Sequence, residues 1–359
     1  MTKIHEINLL GQSIWLDSIS RNMFESGQLS DLIKKGVSGL TSNPTIFDKA
    51  VSETDLYDNQ IKQLHLEGKN SEEIFEAIAI RDVQSAADLM INVYKKTQYK
   101  DGYISIEVSP KLANNSELTI EEGIRLWNSI DRPNIMIKVP GTESGSVAIR
   151  KLISLGINVN VTLLFSVESY IRSARAYIDG LNDYINSGGK NLGNIASVAS
   201  FFVSRLDTAV DKLLNDSSLK GKSGIFNAYK AYELFLDLFG NDFDHLRNKG
   251  GQVQRPLWAS TSVKNPSYSP TLYVEKLMGP NTVNTLPENT LEALLQSAKI
   301  KDELTNNTNV DRYFNNLEKD GLSVNQITNE LLADGIRSFL ESYNSVIDRI
   351  TNKIIKSST

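Results

Sequence analysis

The chain has 359 residues, 40% of them hydrophobic and 23% charged, with a formal net charge of −5. A balance of 43 acidic against 38 basic residues offers no cationic surface to nucleic acid. The absence of cysteine excludes disulfides, thiolate nucleophiles and cysteine-ligated metals, and fits a cytoplasmic protein.

Met1 to Gly11 lacks the basic start and apolar run of a signal peptide. No apolar stretch approaches the length needed to cross a membrane, so no membrane partner is expected. Ser13 to Ser18 then reads as a first short strand, with Trp15 and Asp17 on one face. Gln28 to Lys35 looks helical. Val37 to Asn43 is a second strand, with Thr41 and Asn43 on one face and Pro44 closing it. Glu53 to Lys96 carries two helical segments broken near Gly68-Lys69-Asn70, with Ser71 as the cap of the second. Tyr103 to Ser109 is a third strand, its Ser105 and Glu107 facing away from Ile104, Ile106 and Val108. Thr119 to Ser129 is a helix, opened by Thr119 and Glu122 in a capping-box pattern.

The fourth strand, Asn134 to Val139, puts Ile135, Ile137 and Val139 on one face and Asn134, Met136 and Lys138 on the other. A lysine is rarely buried without a partner. Desolvation lowers the pKa of an amine, and only the neutral amine attacks a carbonyl, so Lys138 is a candidate Schiff-base nucleophile. A helix from about Glu143 to Leu155 follows. Ile157 to Leu163 is a fifth strand, split between apolar Ile157, Val159 and Val161 and polar Asn158, Asn160 and Thr162. Val167 to Asn186 is a long helix, and Ile195 to Val203 a sixth strand with Ala196, Val198, Ser200 and Phe202 in register. Arg205 to Leu219 and Phe226 to Phe239 are helical. Pro256 to Ser262 is a seventh strand, Asn281 to Thr285 a short eighth, and Pro287 to Ala298 its helix. Asp311 to Leu317 and Val324 to Lys353 add terminal helices. Eight strands, each followed by helix, predict one α/β domain over 1–359: a (β/α)8 TIM barrel with additional C-terminal helices from about 311.

Active sites of such barrels sit at the C-terminal ends of the strands. The polar residues gathered there are Asp17, Asn43, Glu107, Lys138, Asn160, Thr162, Ser200, Ser260 and Ser262, each on an inward face in this register. One lysine, two carboxylates and several neutral hydrogen-bonding groups suit imine chemistry, which needs an amine to attack and carboxyls to move protons. Phosphate in barrels sits beyond strands seven and eight. There Ser260-Thr261-Ser262-Val263-Lys264 offers hydroxyls, turn amides and a cation, with Arg205 as a second cation. Gly141 to Ser146 lacks the Lys-Ser/Thr ending of a P-loop. His5, His65 and His245 are scattered, which disfavours a Ser-His-Asp triad or a multi-histidine zinc site, and no metal or other cofactor is expected.

Several segments together resemble the transaldolases of the pentose phosphate pathway. They are Trp15-Leu16-Asp17, Leu40 to Phe47 with its Thr-Ser-Asn-Pro core, Ile106 to Pro110, Ile137-Lys138-Val139-Pro140-Gly141-Thr142 and Asn160 to Ser166. Ser200 to Arg205 and Trp258 to Asn265 extend the likeness, in the family's order, and the Trp-Ala-Ser-Thr run looks like the longer bacterial subgroup. The resemblance implies that Lys138 forms the imine with a ketose phosphate and that Asp17 takes the proton of the C4 hydroxyl. It implies that Glu107 moves protons through a water held by Thr162, and that Asn43, Asn160 and Ser200 hold the dihydroxyacetone unit. Phosphate would fall to Arg205, Lys264 and one of Ser260 and Ser262, which compete for the role. Shorter members look to carry arginine where Lys264 stands, and lysine lacks arginine's bidentate fork. Phe202 is expected beside the reacting carbon, where related aldolases look to carry tyrosine. The expected partners are sugar phosphates, on a monomer or homodimer. The segment from about Leu213 to Gln254 has no clear counterpart in the shorter members.

Overall fold

The computed structural model describes residues 1–215, 217–305 and 310–358. A strand in a parallel barrel is covered by helices outside and by other strands inside, so both faces are apolar except near its ends. The chain follows that rule. Ile104, Ile106, Ile135, Ile137, Val139, Val159 and Val161 belong to the large core beneath the helices. Trp15, Tyr103, Met136, Val198, Leu257 and Val283 form a second core within the barrel.

Helix α1 (Lys3–Leu9) precedes strand β1 (Gln12–Leu16), and α2 (Arg21–Glu25) and α3 (Gln28–Lys35) lead to β2 (Gly39–Leu40). Three helices, α4 (Pro44–Glu53), α5 (Asp58–Leu66) and α6 (Ser71–Lys96), separate β2 from β3 (Tyr103–Glu107). Next come α7 (Ser116–Ile130), β4 (Ile135–Pro140), α8 (Glu143–Ser154), β5 (Val159–Leu164) and α9 (Val167–Asn186). Strand β6 (Ser197–Phe202) is followed by α10 (Ser204–Asp211), α11 (Ser223–Leu238) and α12 (Asp244–Arg247). Strand β7 (Arg255–Ala259), α13 (Leu272–Lys276), β8 (Thr282–Leu286) and α14 (Glu288–Ser297) close the circuit, and α15 (Val310–Lys319) and α16 (Val324–Ser358) remain outside it. The strands form a closed barrel in chain order, with β8 parallel to β1 from Gln12↔Thr282 to Leu16↔Leu286. The predicted (β/α)8 barrel with extra C-terminal helices is the observed fold. No helix among the described residues is long and apolar enough to cross a membrane.

Some boundaries differ from expectation for identifiable reasons. Pro44 does not merely end a strand; it is the first residue of α4, with Asn43 as the cap accepting from the Ile46 N–H at 3.0 Å. The cap of α6 is Asn70, in a reciprocal box with Glu73, one residue before the expected Ser71. Helix α7 starts earlier than predicted, at the cap Asn115, so Thr119 and Glu122 form no capping box. The Thr119 hydroxyl donates to the Leu112 carbonyl, and Glu122 turns inward to accept from the Ser109 N–H at 2.7 Å. Strand β7 ends at Ala259, short of the predicted Ser262, because Ser260 takes a left-handed φ of 53°. Ser260 and Ser262 are therefore loop residues, not inward positions on a strand.

The N-terminal end of the barrel is filled and tied. Trp15 occupies it so fully that a Cβ on Gly39 would lie 2.6 Å from its ring. Asp101, just before β3, accepts from Trp15 Nε1 at 2.8 Å and Ser13 Oγ at 2.6 Å, and pairs with Arg255 at 3.1 Å. At the opposite end α16 bridges two cores. Leu331, Leu332, Ile336 and Phe339 pack on the barrel interior, while Val346 and Ile350 pack on Val51, Ile61 and Ile74 of the α4–α6 layer.

Candidate active site

Parallel register sets three functional residues abreast: Glu107 of β3 pairs with Lys138 of β4, which pairs with Asn160 of β5. Lys138 Nζ donates to the Ser42 carbonyl at 3.0 Å and lies 3.8 Å from Glu107 Oε2. The Ser42 carbonyl is available because the chain leaves the β2 ladder just before α4. The two charged side chains are only 5% and 4% exposed. The face of the Phe339 ring, contributed by α16, is 5.9 Å from the same ammonium.

Burial pushes Glu107 up from 4.5 to about 7, with Lys138 opposing the rise and Asp17 adding to it. Between those two pH values the folded protein holds a proton that the unfolded chain has released. The stability cost of burying this carboxylate is therefore absent below pH 4.5 and grows as pH rises towards 7. A carboxyl poised near neutrality can give and take protons during turnover. Glu107 Oε1 and Oε2 and Thr162 Oγ1 are buried without a hydrogen-bond partner among the described residues.

Asp17 follows β1 and approaches from another side, held by the Thr41 hydroxyl at 2.6 Å, which itself contacts Thr285 Oγ1 at 2.7 Å. Asn160 joins two strands, its Nδ2 donating to Ser105 Oγ at 2.9 Å and its Oδ1 accepting from Ser200 Oγ at 2.6 Å. A cavity of about 900 Å³ opens over this end of the barrel. Asp17, Asn43, Lys138, Thr162, Ser200, Phe202, Arg205, Ser260, Ser262 and Lys264 all line it. Two predicted residues do not. Asn160 is fully buried beneath Ser200, and Glu107 lies behind Lys138.

The cations expected at the phosphate end are present but unlike each other. Arg205 is in the first turn of α10, with its guanidinium 5.4 Å above the Phe202 ring. Burial holds its pKa below the usual arginine value, opposed by Asp17. Lys264 is exposed, its Nζ donating to Ser262 Oγ at 2.9 Å. Ser260 Oγ instead faces Ser204 Oγ at 3.0 Å, so of the two competing serines Ser262 is the one beside the loop cation. Phe202 is held between Arg205 and Phe165, whose ring centroid is 5.0 Å away.

A family model described as transaldolase/fructose-6-phosphate aldolase matches residues 14–350. The chain belongs to that family. A transaldolase of Trichodesmium erythraeum is 44% identical over an alignment covering 98% of this chain and 97% of its own. Transaldolases of Saccharopolyspora erythraea and Mycolicibacterium smegmatis are each 41% identical, with 95% or more of both chains covered. Membership makes the protein an enzyme of the lysine Schiff-base transferase type.

Three groups that contact Asp17 or Lys138 are not marked by the sequence pattern alone. Thr41 was visible as an inward neighbour of Asn43, but only closure of the barrel brings it to Asp17. The Ser42 carbonyl is backbone, which residue type does not reveal. Phe339 comes from the C-terminal helix, 201 residues from Lys138 in sequence, and no local pattern marks it. The three histidines stand on helices: His5 in α1, His65 in α5 and His245 in α12.

Proposed function

We propose that the enzyme transfers a dihydroxyacetone unit from sedoheptulose 7-phosphate or fructose 6-phosphate to glyceraldehyde 3-phosphate or erythrose 4-phosphate, through an imine on Lys138. The observation that carries this reading is the buried Lys138 amine, 3.8 Å from a carboxyl poised near pH 7. Once its proton has passed to the Glu107 carboxylate, the Lys138 amine adds to the donor's C2 carbonyl, and Glu107, acting through a water at Thr162, returns that proton to the departing hydroxyl so that it leaves as water. Asp17 takes the C4 hydroxyl proton, the C3–C4 bond breaks, and its electrons are held as an enamine on Lys138. An acceptor aldehyde reverses the sequence, and water then releases the product.

Ser200 and the Asn43 amide, both on the cavity wall, would hold the three-carbon unit. Asn160 acts through Ser200, whose hydroxyl it orients. Arg205 and Lys264, with Ser262, would take the phosphate. Arg205→Ala is expected to lower kcat/KM for phosphorylated substrates by about 10- to 150-fold, the equivalent of roughly 1.5–3 kcal/mol for a charged hydrogen bond. Unphosphorylated analogues should be little affected; equal losses for both would mean that the damage is structural.

Transfer is favoured over plain aldol cleavage because Phe202 lines the cavity with a ring that has no hydroxyl to orient water. Fructose 6-phosphate alone should give little net product. Addition of erythrose 4-phosphate should release glyceraldehyde 3-phosphate and form sedoheptulose 7-phosphate. Phe202→Tyr should raise the donor-only reaction. Rapid release of free dihydroxyacetone by the unmodified enzyme, with no acceptor, would instead make it an aldolase.

A further inference from the structure

Glu107 has a surrounding that the mouth of the barrel does not explain. It lies on the wall of a second cavity, of about 50 Å³, behind β3. Ser109, Asn43 of the α4 cap, Glu76 of α6, Glu122 of α7 and Tyr343 of α16 also line it. The rest of its wall is largely apolar, Phe47, Phe75, Ile106 and Leu126 among it, so water admitted to a space of this size sits on the polar side. Glu107 Oε1 and Oε2 are buried with no hydrogen-bond partner among the described residues, and Ser109 Oγ, likewise buried, is turned towards the Tyr343 hydroxyl. Groups of this kind are ordinarily satisfied by solvent.

Glu122 sits at the outer side of the same cavity, its Oε1 held by the Ser109 N–H at 2.7 Å. Burial raises its pKa, opposed by the Ser109 N–H and Arg125 and reinforced by Glu76 and Glu72. Those neighbours lead to the surface: Arg125 pairs with Glu76, and Lys111 pairs with Glu72 at 2.6 Å, all four being at least one-third exposed. Tyr343 faces the same carboxylates from α16. Cavity and acids thus run from the buried Glu107 to solvent without passing through the mouth.

We propose that Glu122 is the outer member of a proton relay, serving Glu107 through this back cavity while a sugar fills the mouth. The proposal rests on Glu107 being the proton-transfer group of the reaction. Each step breaks one O–H bond and forms another. The Glu107 carboxylic acid passes its proton through a cavity water to the Ser109 hydroxyl, which passes its own proton to the Glu122 carboxylate. Glu122 then yields a proton to bulk water beside Glu76. Transfer in the opposite direction reloads Glu107.

Glu122→Gln tests this, because glutamine still accepts from the Ser109 N–H but cannot carry the proton. At saturating donor, the rate of imine formation is expected to fall about tenfold, below the roughly 10²- to 10⁴-fold of a group that itself meets the substrate, with KM unchanged. Added imidazole or formate should restore the rate in a concentration-dependent way, and the kinetic pKa near 7 should persist. An unchanged rate, or a loss that buffer does not rescue, overturns the relay. Ser109→Ala removes only the intermediate hydroxyl and gives the same reading if the glutamine variant folds poorly. Glu107→Gln is measured alongside. If it leaves imine formation untouched, the role of Glu107 is wrong. If it slows imine formation while Glu122→Gln does not, the relay alone falls.

Discussion

Replacing Lys138 by methionine is expected to reduce turnover by at least about four orders of magnitude, as loss of a covalent nucleophile does. The reason is specific to its position. Lys138 is the lysine whose amine is buried on the wall of the mouth, facing Glu107, the Ser42 carbonyl and the Phe339 ring. Methionine matches the length and apolar stem of lysine, so the barrel should remain folded and substrate should still bind. The second readout is chemical. Borohydride added with fructose 6-phosphate should fix a reduced three-carbon unit on Lys138 of the parent enzyme and on nothing in the variant. An adduct on another lysine would move the site.

The next largest effects should separate the two carboxylates. Asp17→Asn is expected to form the imine at near the parent rate and then stall, with turnover down by about 10³-fold or more, because the C4 hydroxyl loses its base. Glu107→Gln should slow imine formation itself, by about 10²-fold. It should also remove the titration near pH 7 from that step, since the group raised to that value by burial is gone. Activity of the parent should depend on pH through both forms of Glu107: the acid expels hydroxide as water, and the carboxylate accepts a proton back. Rapid-quench trapping distinguishes the variants by which intermediate accumulates. The same intermediate accumulating at the same rate in both would rule out this division of labour.

Much of this arrangement was legible in the residues. Alternation in Tyr103–Glu107, Ile135–Pro140 and Val159–Leu164 set Glu107, Lys138, Asn160 and Thr162 on one side of their strands, and the barrel register put the first three abreast. Local pattern failed where geometry is non-local or where a residue leaves its ladder. Ser260 reads as a continuation of β7, yet its left-handed backbone turns the chain, so alternation no longer says where Ser262 points. Asn43 read as a strand residue because its role as the α4 cap depends on the helix that follows. Glu122 read as half of a capping box because a Thr-x-x-Glu spacing is the same whether the glutamate folds back on its helix or reaches across to Ser109. Phe339 had no local signal, because only the docking of α16 brings its ring to the lysine.

The knot of Asp101, Ser13, Trp15 and Arg255 at the far end of the strands makes the barrel a cup rather than a tube. Among the described residues the mouth is the one opening onto Lys138 wide enough for a sugar, and the small chamber behind Glu107, about 50 Å³, is too narrow to serve as a second. Turn-taking follows. On the proposed reading, the aldehyde cut from the donor departs past Arg205 and Lys264, which line the mouth, before the acceptor enters by the same path and rests its phosphate on the same cations. Two-substrate kinetics should then be double-displacement, with parallel lines in reciprocal plots. Each aldehyde should compete with the other for the loaded enzyme, a traffic rule imposed by the closed end of the barrel.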